Sequence, residues 1–178
     1  IVDDNDRTVI GCGQPLHTGG FGNTFNFYGF DVNIFFSWSY GNDILNANRL
    51  YFESGLKKHT NQLKSYVNRW REEKNENSDI PRVNANGMSV YSSRVIEDGS
   101  FLRLRNITIG YTLPRKTLRK MHFDTMRVYV SGENLWTLTG YSGPDPEVST
   151  KNSVLTPGFD WSAYPRAMGV TAGLSFTF

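Results

Sequence analysis

An acidic run, Asp3-Asp4-Asn5-Asp6, stands at the head of the sequence. A hydrophobic residue before one carboxylate, with a second carboxylate three positions on, is the back half of an EF-type calcium loop. Val2, Asp3 and Asp6 fit that half, and front-half ligands do not precede them. A solvated loop is the plain reading; Asp3 and Asp6 are the ligands expected if calcium binds. His17, His59 and His122 are far apart and lack recurring acidic or cysteine partners. No glycine-rich phosphate loop follows a strand, and no nucleophile elbow is present. The expectation is therefore not an enzyme. Cys12 is the one cysteine, so no disulfide forms within these residues. Four aromatic residues in turn-rich or polar stretches, Trp70, Tyr141, Trp161 and Tyr164, offer flat apolar rings with a polar handle. They are the candidates for ligand or partner contact, with helix packing the alternative for Trp70. Asp145, Glu147 and Asp160 read as solvated loop carboxylates, with contact to a cation or a sugar the alternative.

These residues hang on a scaffold written in alternation. Nineteen Lys and Arg against 17 Asp and Glu leave a net charge of +2. That is too small to attract nucleic acid, and no basic face is interleaved with aromatics. Aromatic residues make up 14% of the chain. No stretch approaches the ~20 apolar residues of a membrane helix. Five segments alternate with a period of two: 21–28, 30–40, 101–113, 126–138 and 167–178. Phe30, Val32, Ile34, Phe36, Trp38 and Tyr40 share one face, against Asp31, Asn33, Phe35, Ser37 and Ser39 on the other. Met126, Val128 and Val130 oppose Arg127, Tyr129, Ser131 and Glu133. The last segment is cleanest: Met168, Val170, Ala172, Leu174, Phe176 and Phe178 oppose Gly169, Thr171, Gly173, Ser175 and Thr177.

Such faces suit a sandwich core or a membrane barrel with lipid on the apolar side. Phe27 and Phe30 lie beside the first turn, Trp38 and Tyr40 at the far end, as two interfacial girdles require. One conflict appears: Arg103 and Arg105 share the parity of Ile107, Ile109, Tyr111 and Leu113. Either both arginines sit above the hydrocarbon, or a bulge resets the register. Connections run short, long, short, long, and the insertion after Tyr40 exceeds anything usual in a compact soluble domain. Within it, a helix is expected from near Ile44 with Asn42-Asp43 as cap, carrying Leu45, Leu50, Phe52 and Leu56. A second helix is expected over Gln62–Lys74, with Leu63, Tyr66, Val67 and Trp70 on one side.

The motifs FLRLRNITIGYTLP, RVYVSGENLWTLTGYSGPDPEV and a last strand ending in Phe178 resemble the end of a SusC/RagA-type TonB-dependent outer-membrane transporter. DRTVIG, YGNDI, NANRLY, NRW and DIPR add to the resemblance, while Cys12-Gly13-Gln14-Pro15 departs from it. The resemblance implies an all-β fold: C-terminal strands of a large antiparallel transmembrane barrel, with outer loops at 42–100 and 138–166, the first partly helical. Asn33, Tyr129 and Glu133 would then line the lumen. It implies import of glycans or peptides across a bacterial outer membrane, a SusD-like lipoprotein as lid, and TonB acting through an N-terminal part, with a plug, that these residues do not include. The acidic opening implies a true N-terminus further upstream. The competing expectation is a soluble all-β carbohydrate-binding module.

Overall fold

The computed structural model describes residues 4–55, 59–83, 91–118, 123–150 and 155–178. In chain order the strands are β1 (His17–Phe27), β2 (Phe30–Tyr40), β3 (Asp43–Asn46), β4 (Ile96–Asp98), β5 (Phe101–Thr112), β6 (Thr125–Thr139), β7 (Phe159–Asp160) and β8 (Gly169–Thr177). Two short helices are α1 (Ala47–Phe52) and α2 (Arg115–Leu118). The chain divides into two units, His17–Tyr40 with Phe101–Thr139 and Arg166–Phe178, and Ile1–Leu16 with Gly41–Ser100 and Gly140–Pro165.

The first unit is an antiparallel sheet of five strands, in the order β1-β2-β5-β6-β8. It begins four residues before the expected start at Phe21. Tyr28 and Gly29 make the first turn with φ of 47° and 88°. Two consecutive left-handed residues match the twist of a tight hairpin, and Gly29 takes its place without steric cost. Directly paired residues share a face, so the ladder can be read crosswise. Val32 pairs with Phe25 and Ile109, and Val130 pairs with Ile109 and Ala172. Ile34 pairs with Ile107 on the same face, which also carries Phe30, Tyr111, Val128 and Leu174. Phe25, Ile109, Val130, Val170 and Leu174 are exposed. The opposite face carries Thr24, Asn33, Thr108, Ser131 and Thr171 in one row.

The arginine conflict is resolved by bulges. Phe35 pairs with Asn106 but Phe36 with Leu104, so Arg105 is an extra residue on β5. Opposite it on β6, Asn134 and Leu135 fall between the pairs Asn106–Glu133 and Leu104–Trp136. Asn134 takes a left-handed φ of 51°. The extra residue flips the parity, as a bulge must. Leu104 and Leu102 therefore pair with Phe36 and Trp38 on the apolar face. Arg103 moves to the other face and is buried, and Arg105 donates to Ser37 Oγ at 2.7 Å.

Rings gather at both ends of the strands. Beside the turns, Phe27 and Phe30 lie 5.7 Å apart, and Phe30 and Tyr111 4.6 Å. Phe123 lies 5.7 Å from Phe176 and 5.8 Å from Phe178. At the far end His17 stacks on Tyr40 at 5.1 Å, and Trp38 Nε1 donates to His17 Nδ1 at 3.2 Å.

The second unit has its own small sheet, β4-β3-β7. Ile44, Tyr141 and Val148 form its core, with Ala163 packed against them. The helix expected from Ile44 is displaced. Residues 43–46 form a strand, because β3 pairs antiparallel with β4 and parallel with β7, and only then does α1 begin. Pairing with segments some fifty and a hundred residues away overrides the local cap signal. The helix expected over Gln62–Lys74 shortens to one 3-10 turn, Lys64–Asn68, with Tyr66 buried but Leu63 and Val67 exposed. Leu56, expected on the first helix, lies outside the described residues.

Buried charge organises this unit. Glu53 is 1% exposed. It accepts from Arg49 Nε at 3.1 Å, Arg94 Nη1 at 2.7 Å and Ser65 Oγ. Glu97 accepts from Arg49 Nη1 at 3.3 Å, Asn46 Nδ2 at 3.1 Å, and the Ser142 amide at 2.8 Å. Arg49 thus bridges two carboxylates, which satisfies charges that would otherwise be costly to bury.

Candidate functional site

Two places in the molecule collect chemistry, one in each unit. The first is an aromatic cleft lined by Asn48, Tyr51, Phe52, Trp161 and Ser162, with a volume of about 270 Å³. Helix α1 supplies Asn48 and Tyr51 three residues apart, which puts them on one face. Tyr51 and Phe52 meet edge to face at 5.0 Å, and Tyr51 and Trp161 at 6.2 Å. Trp161 is 45% exposed.

The loop that presents Trp161 is pinned on both sides. Its amide donates to Thr150 Oγ1 at 2.8 Å. Ser162, with φ of 53°, donates through its amide to Asn48 Oδ1 at 2.7 Å and through its hydroxyl at 3.2 Å. Buried Asp160 accepts from the Tyr141 hydroxyl and, at 3.1 Å, from the Ala163 amide. Burial foremost, and then the hydrogen bond to Asp160, pushes the Tyr141 hydroxyl far above its ordinary pKa, so it stays a donor. Burial raises the Glu97 carboxyl, but the Ser142 and Asn46 hydrogen bonds and the nearby Arg49 outweigh it, and the net pKa is lowered. Among the described residues no charged side chain lines the cleft.

The second place is the polar face of the five-stranded sheet. Arg127 on β6 reaches across β5 to Asp31 on β2, with Nε donating at 2.9 Å and Nη2 to the second oxygen. Gly110 lies between, and a Cβ there would stand 2.4 Å from Arg127 Nη2. The guanidinium also sits 5.0 Å from the Tyr129 ring centre. Tyr129 in turn lies over Gly173, where a Cβ would come within 2.4 Å of the ring. Asn33 Nδ2 donates to Thr24 at 2.9 Å, and Thr108 and Ser131 share a hydrogen bond at 2.9 Å.

The residues singled out from sequence separate in the structure. Asn33, Tyr129 and Glu133 all stand on the polar face. Trp161 lines the cleft, and Tyr164 is 94% exposed. Tyr141, expected at a loop surface, is instead 6% exposed and bonded to Asp160 inside the core. Asp160, expected as a solvated carboxylate, is fully buried for the same reason, and Asp145 is buried as well. Trp70 sits on no helix; its amide donates to the Ile80 carbonyl at 2.7 Å, and it does not line the cleft. Asp3 and His122 lie outside the described residues. Asp6 is exposed at the end of the 3-10 turn Asp4–Asp6. Among the described residues no three His, Cys, Asp or Glu side chains gather as a metal site. Sequence reasoning passed over Asn48, Tyr51, Phe52 and Ser162; the i, i+3 spacing of Asn48 and Tyr51 was the available signal.

The TonB-dependent receptor P3 of Formosa agariphila is 39% identical to this chain over 182 residues, covering 99% of the chain and 18% of the receptor. The chain belongs to the SusC/RagA-type TonB-dependent receptors. Receptor P39 of the same organism is 32% identical over 98% of the chain and 17% of its own length. The TonB-dependent receptor SusC of Bacteroides thetaiotaomicron is 33% identical over 58% of the chain and 10% of its own length. No protein-family model matches. The solved RagAB peptide transporter superposes with a TM-score of 0.77 at 28% identity, covering 90% of this chain and 17% of that one. The RagAB peptide importer in its open-open state gives 0.78 at the same identity. The five-stranded sheet of this SusC/RagA-type chain is thus part of a TonB-dependent receptor barrel fold. The chain spans less than a fifth of the length of each relative it matches.

Proposed function

We propose that this chain supplies wall strands and outer loops to an outer-membrane importer that takes up oligosaccharides or peptides. The observation that carries this reading is the exposed apolar face of the sheet, crossed by rings at both strand ends. In water such a face would aggregate; against lipid it is the solvated side. The polar face, with Asn33, Tyr129 and Glu133, lines the lumen. The segments 42–100 and 138–166 are the outer loops. They meet a surface lipoprotein of SusD type as lid, and energy arrives through TonB acting on another part of the polypeptide. The solved RagAB relative is a peptide transporter, which supports the peptide class; the oligosaccharide class rests on the family resemblance.

The test uses a bacterium that carries this sequence. Deleting the coding gene should abolish uptake of a labelled oligosaccharide or peptide. The polypeptide should sediment with the outer membrane and copurify with a lipoprotein. Recovery in the soluble fraction, or uptake of every tested nutrient unchanged by the deletion, would sink the reading.

A further inference from the structure

The aromatic cleft carries an inference that the importer reading does not contain, although it rests on that reading for its setting. We propose that Tyr51, Trp161 and Asn48 form a binding subsite for one ring of a neutral oligosaccharide. Three features of the cleft converge on that ligand.

The first is the floor. Trp161, Tyr51 and Phe52 line one cleft, with Tyr51 set edge-on to both neighbours. A partly exposed indole on a pinned loop gives a flat apolar platform at low entropic cost, since its backbone is already fixed by Thr150 and Ser162. The apolar C–H face of a pyranose stacks on such a platform.

The second is the polar group beside it. Asn48 Oδ1 accepts twice from Ser162, which fixes the orientation of the whole carboxamide. Its amide nitrogen then presents N–H donors in a set direction, as a ring hydroxyl requires. A few oriented polar groups over an apolar floor are the usual composition of a specific small-molecule site.

The third is the charge and the size. Among the described residues no Asp, Glu, Lys or Arg lines the cleft, which disfavours uronic acids, sulfated sugars and charged peptide termini. Its volume of about 270 Å³ falls just under the roughly 300–1,000 Å³ of pockets that enclose drug-sized ligands. A single ring of a longer chain fills it, with the remainder of the chain outside.

The experiment uses the complete receptor polypeptide that contains this sequence, purified in detergent. It is applied to an array of neutral and acidic oligosaccharides together with a set of uncharged and charged peptides. The expected result is binding of at least one neutral oligosaccharide, followed by saturable quenching of tryptophan fluorescence with that same sugar. Trp161→Ala should weaken its Kd about tenfold or more, the scale of one aromatic contact. Tyr51→Ala and Asn48→Ala should each weaken it about fivefold, and Trp161→Phe should recover part of the loss. Heat-modifiable gel migration of each variant shows that the barrel is intact, and a variant that fails that check is replaced by Trp161→Phe with Asn48→Ser. Binding of peptides alone, or a neutral sugar whose Kd is unchanged in all three alanine variants, overturns the proposal. So does an array without any bound neutral oligosaccharide. The importer reading fails separately: loss of sugar binding in Trp161→Ala, with uptake in the cell indifferent to deletion of the gene, keeps the subsite and removes the transporter.

Discussion

The two units of this chain place their apolar residues on opposite sides of the same physical rule. In the unit built on β3, β4 and β7, Ile44, Ala47, Leu50, Val95 and Val148 are buried, and polar residues surround them. In the unit of the five-stranded sheet, Leu118 on α2 is the one buried large hydrophobic among the described residues, while Phe21, Phe25, Ile109, Val130, Val170 and Leu174 are exposed. The first arrangement is what water selects and the second what lipid selects. Polar groups follow suit. The β3-β4-β7 unit buries carboxylates inside an arginine network, whereas the sheet sends its ion pair Arg127–Asp31 to an open polar face with both partners about a third exposed. One chain thus carries two solvents' worth of design, and the difference can be probed by putting charge where each unit does and does not expect it.

The largest effect is expected from removing the buried carboxylate. Glu53→Ala leaves Arg49 and Arg94 facing a cavity with their shared acceptor gone. Breaking a buried pair in this way costs about 3–5 kcal/mol. Hydrogen exchange of residues 47–53 in the complete receptor should collapse, while the amides of β5 and β6 stay protected. Equal loss in both would mean that the units unfold as one.

Charge on the sheet comes next, and it should discriminate between faces. Ile34→Arg, in the middle of the apolar face, should cost about 2–4 kcal/mol in a bilayer. The neighbouring Asn33→Arg, on the polar face, should cost little. Urea unfolding in lipid vesicles reads the difference. Similar costs at the two positions would reject lipid as the neighbour of the apolar face.

Acid should loosen the β3-β4-β7 unit and leave the sheet. Glu97 has a folded pKa below its ordinary value. The unfolded state therefore takes up the proton first as pH falls, and stability is lost in that direction. Resistance of the 42–100 segment to protease should be complete at neutral pH. It should begin to fall below about pH 4.3, the unperturbed glutamate value, and fall further as pH drops through the folded pKa. Glu97→Gln should flatten that profile.

Gly110→Ala gives the smallest change. The new Cβ would meet the guanidinium of Arg127 and the carboxylate of Asp31 rather than backbone, so the two side chains move aside and their pair is lost. A partly exposed pair contributes roughly 0–1 kcal/mol. Vesicle unfolding should register that much and no more; a loss comparable with Ile34→Arg would show that the crossing at Gly110 holds more than one ion pair.

The contrast between the units also explains what could be read from the sequence. Strand alternation is local, so the faces of β2, β6 and β8 were legible two residues at a time. The parity conflict at Arg103 and Arg105 pointed to the bulge without locating it, because Asn134 and Leu135 on the partner strand complete the defect. The β3-β4-β7 unit was opaque for the opposite reason. Ile44 becomes a strand residue only because Glu97 and Phe159 segments pair beside it. Tyr141 and Asp160 look like loop residues until each is seen to bury the other. Trp161 was visible as an aromatic in a loop. Its cleft was not, since Asn48 and Tyr51 lie more than a hundred positions earlier.

The bulges of β5 and β6 have a geometric consequence for the sheet as a strip. At one height β5 carries one residue more than β2, and β6 one more than β5. Each added residue is roughly 3.3 Å of strand, so contour length grows by about 7 Å across three neighbours. Yet the ladder is level again beyond the defect, where Ser39 pairs with Phe101 and Phe101 with Thr139. The surplus is therefore taken up where it arises, as a local bend and added twist, and the strip is creased at that height while its margin stays even.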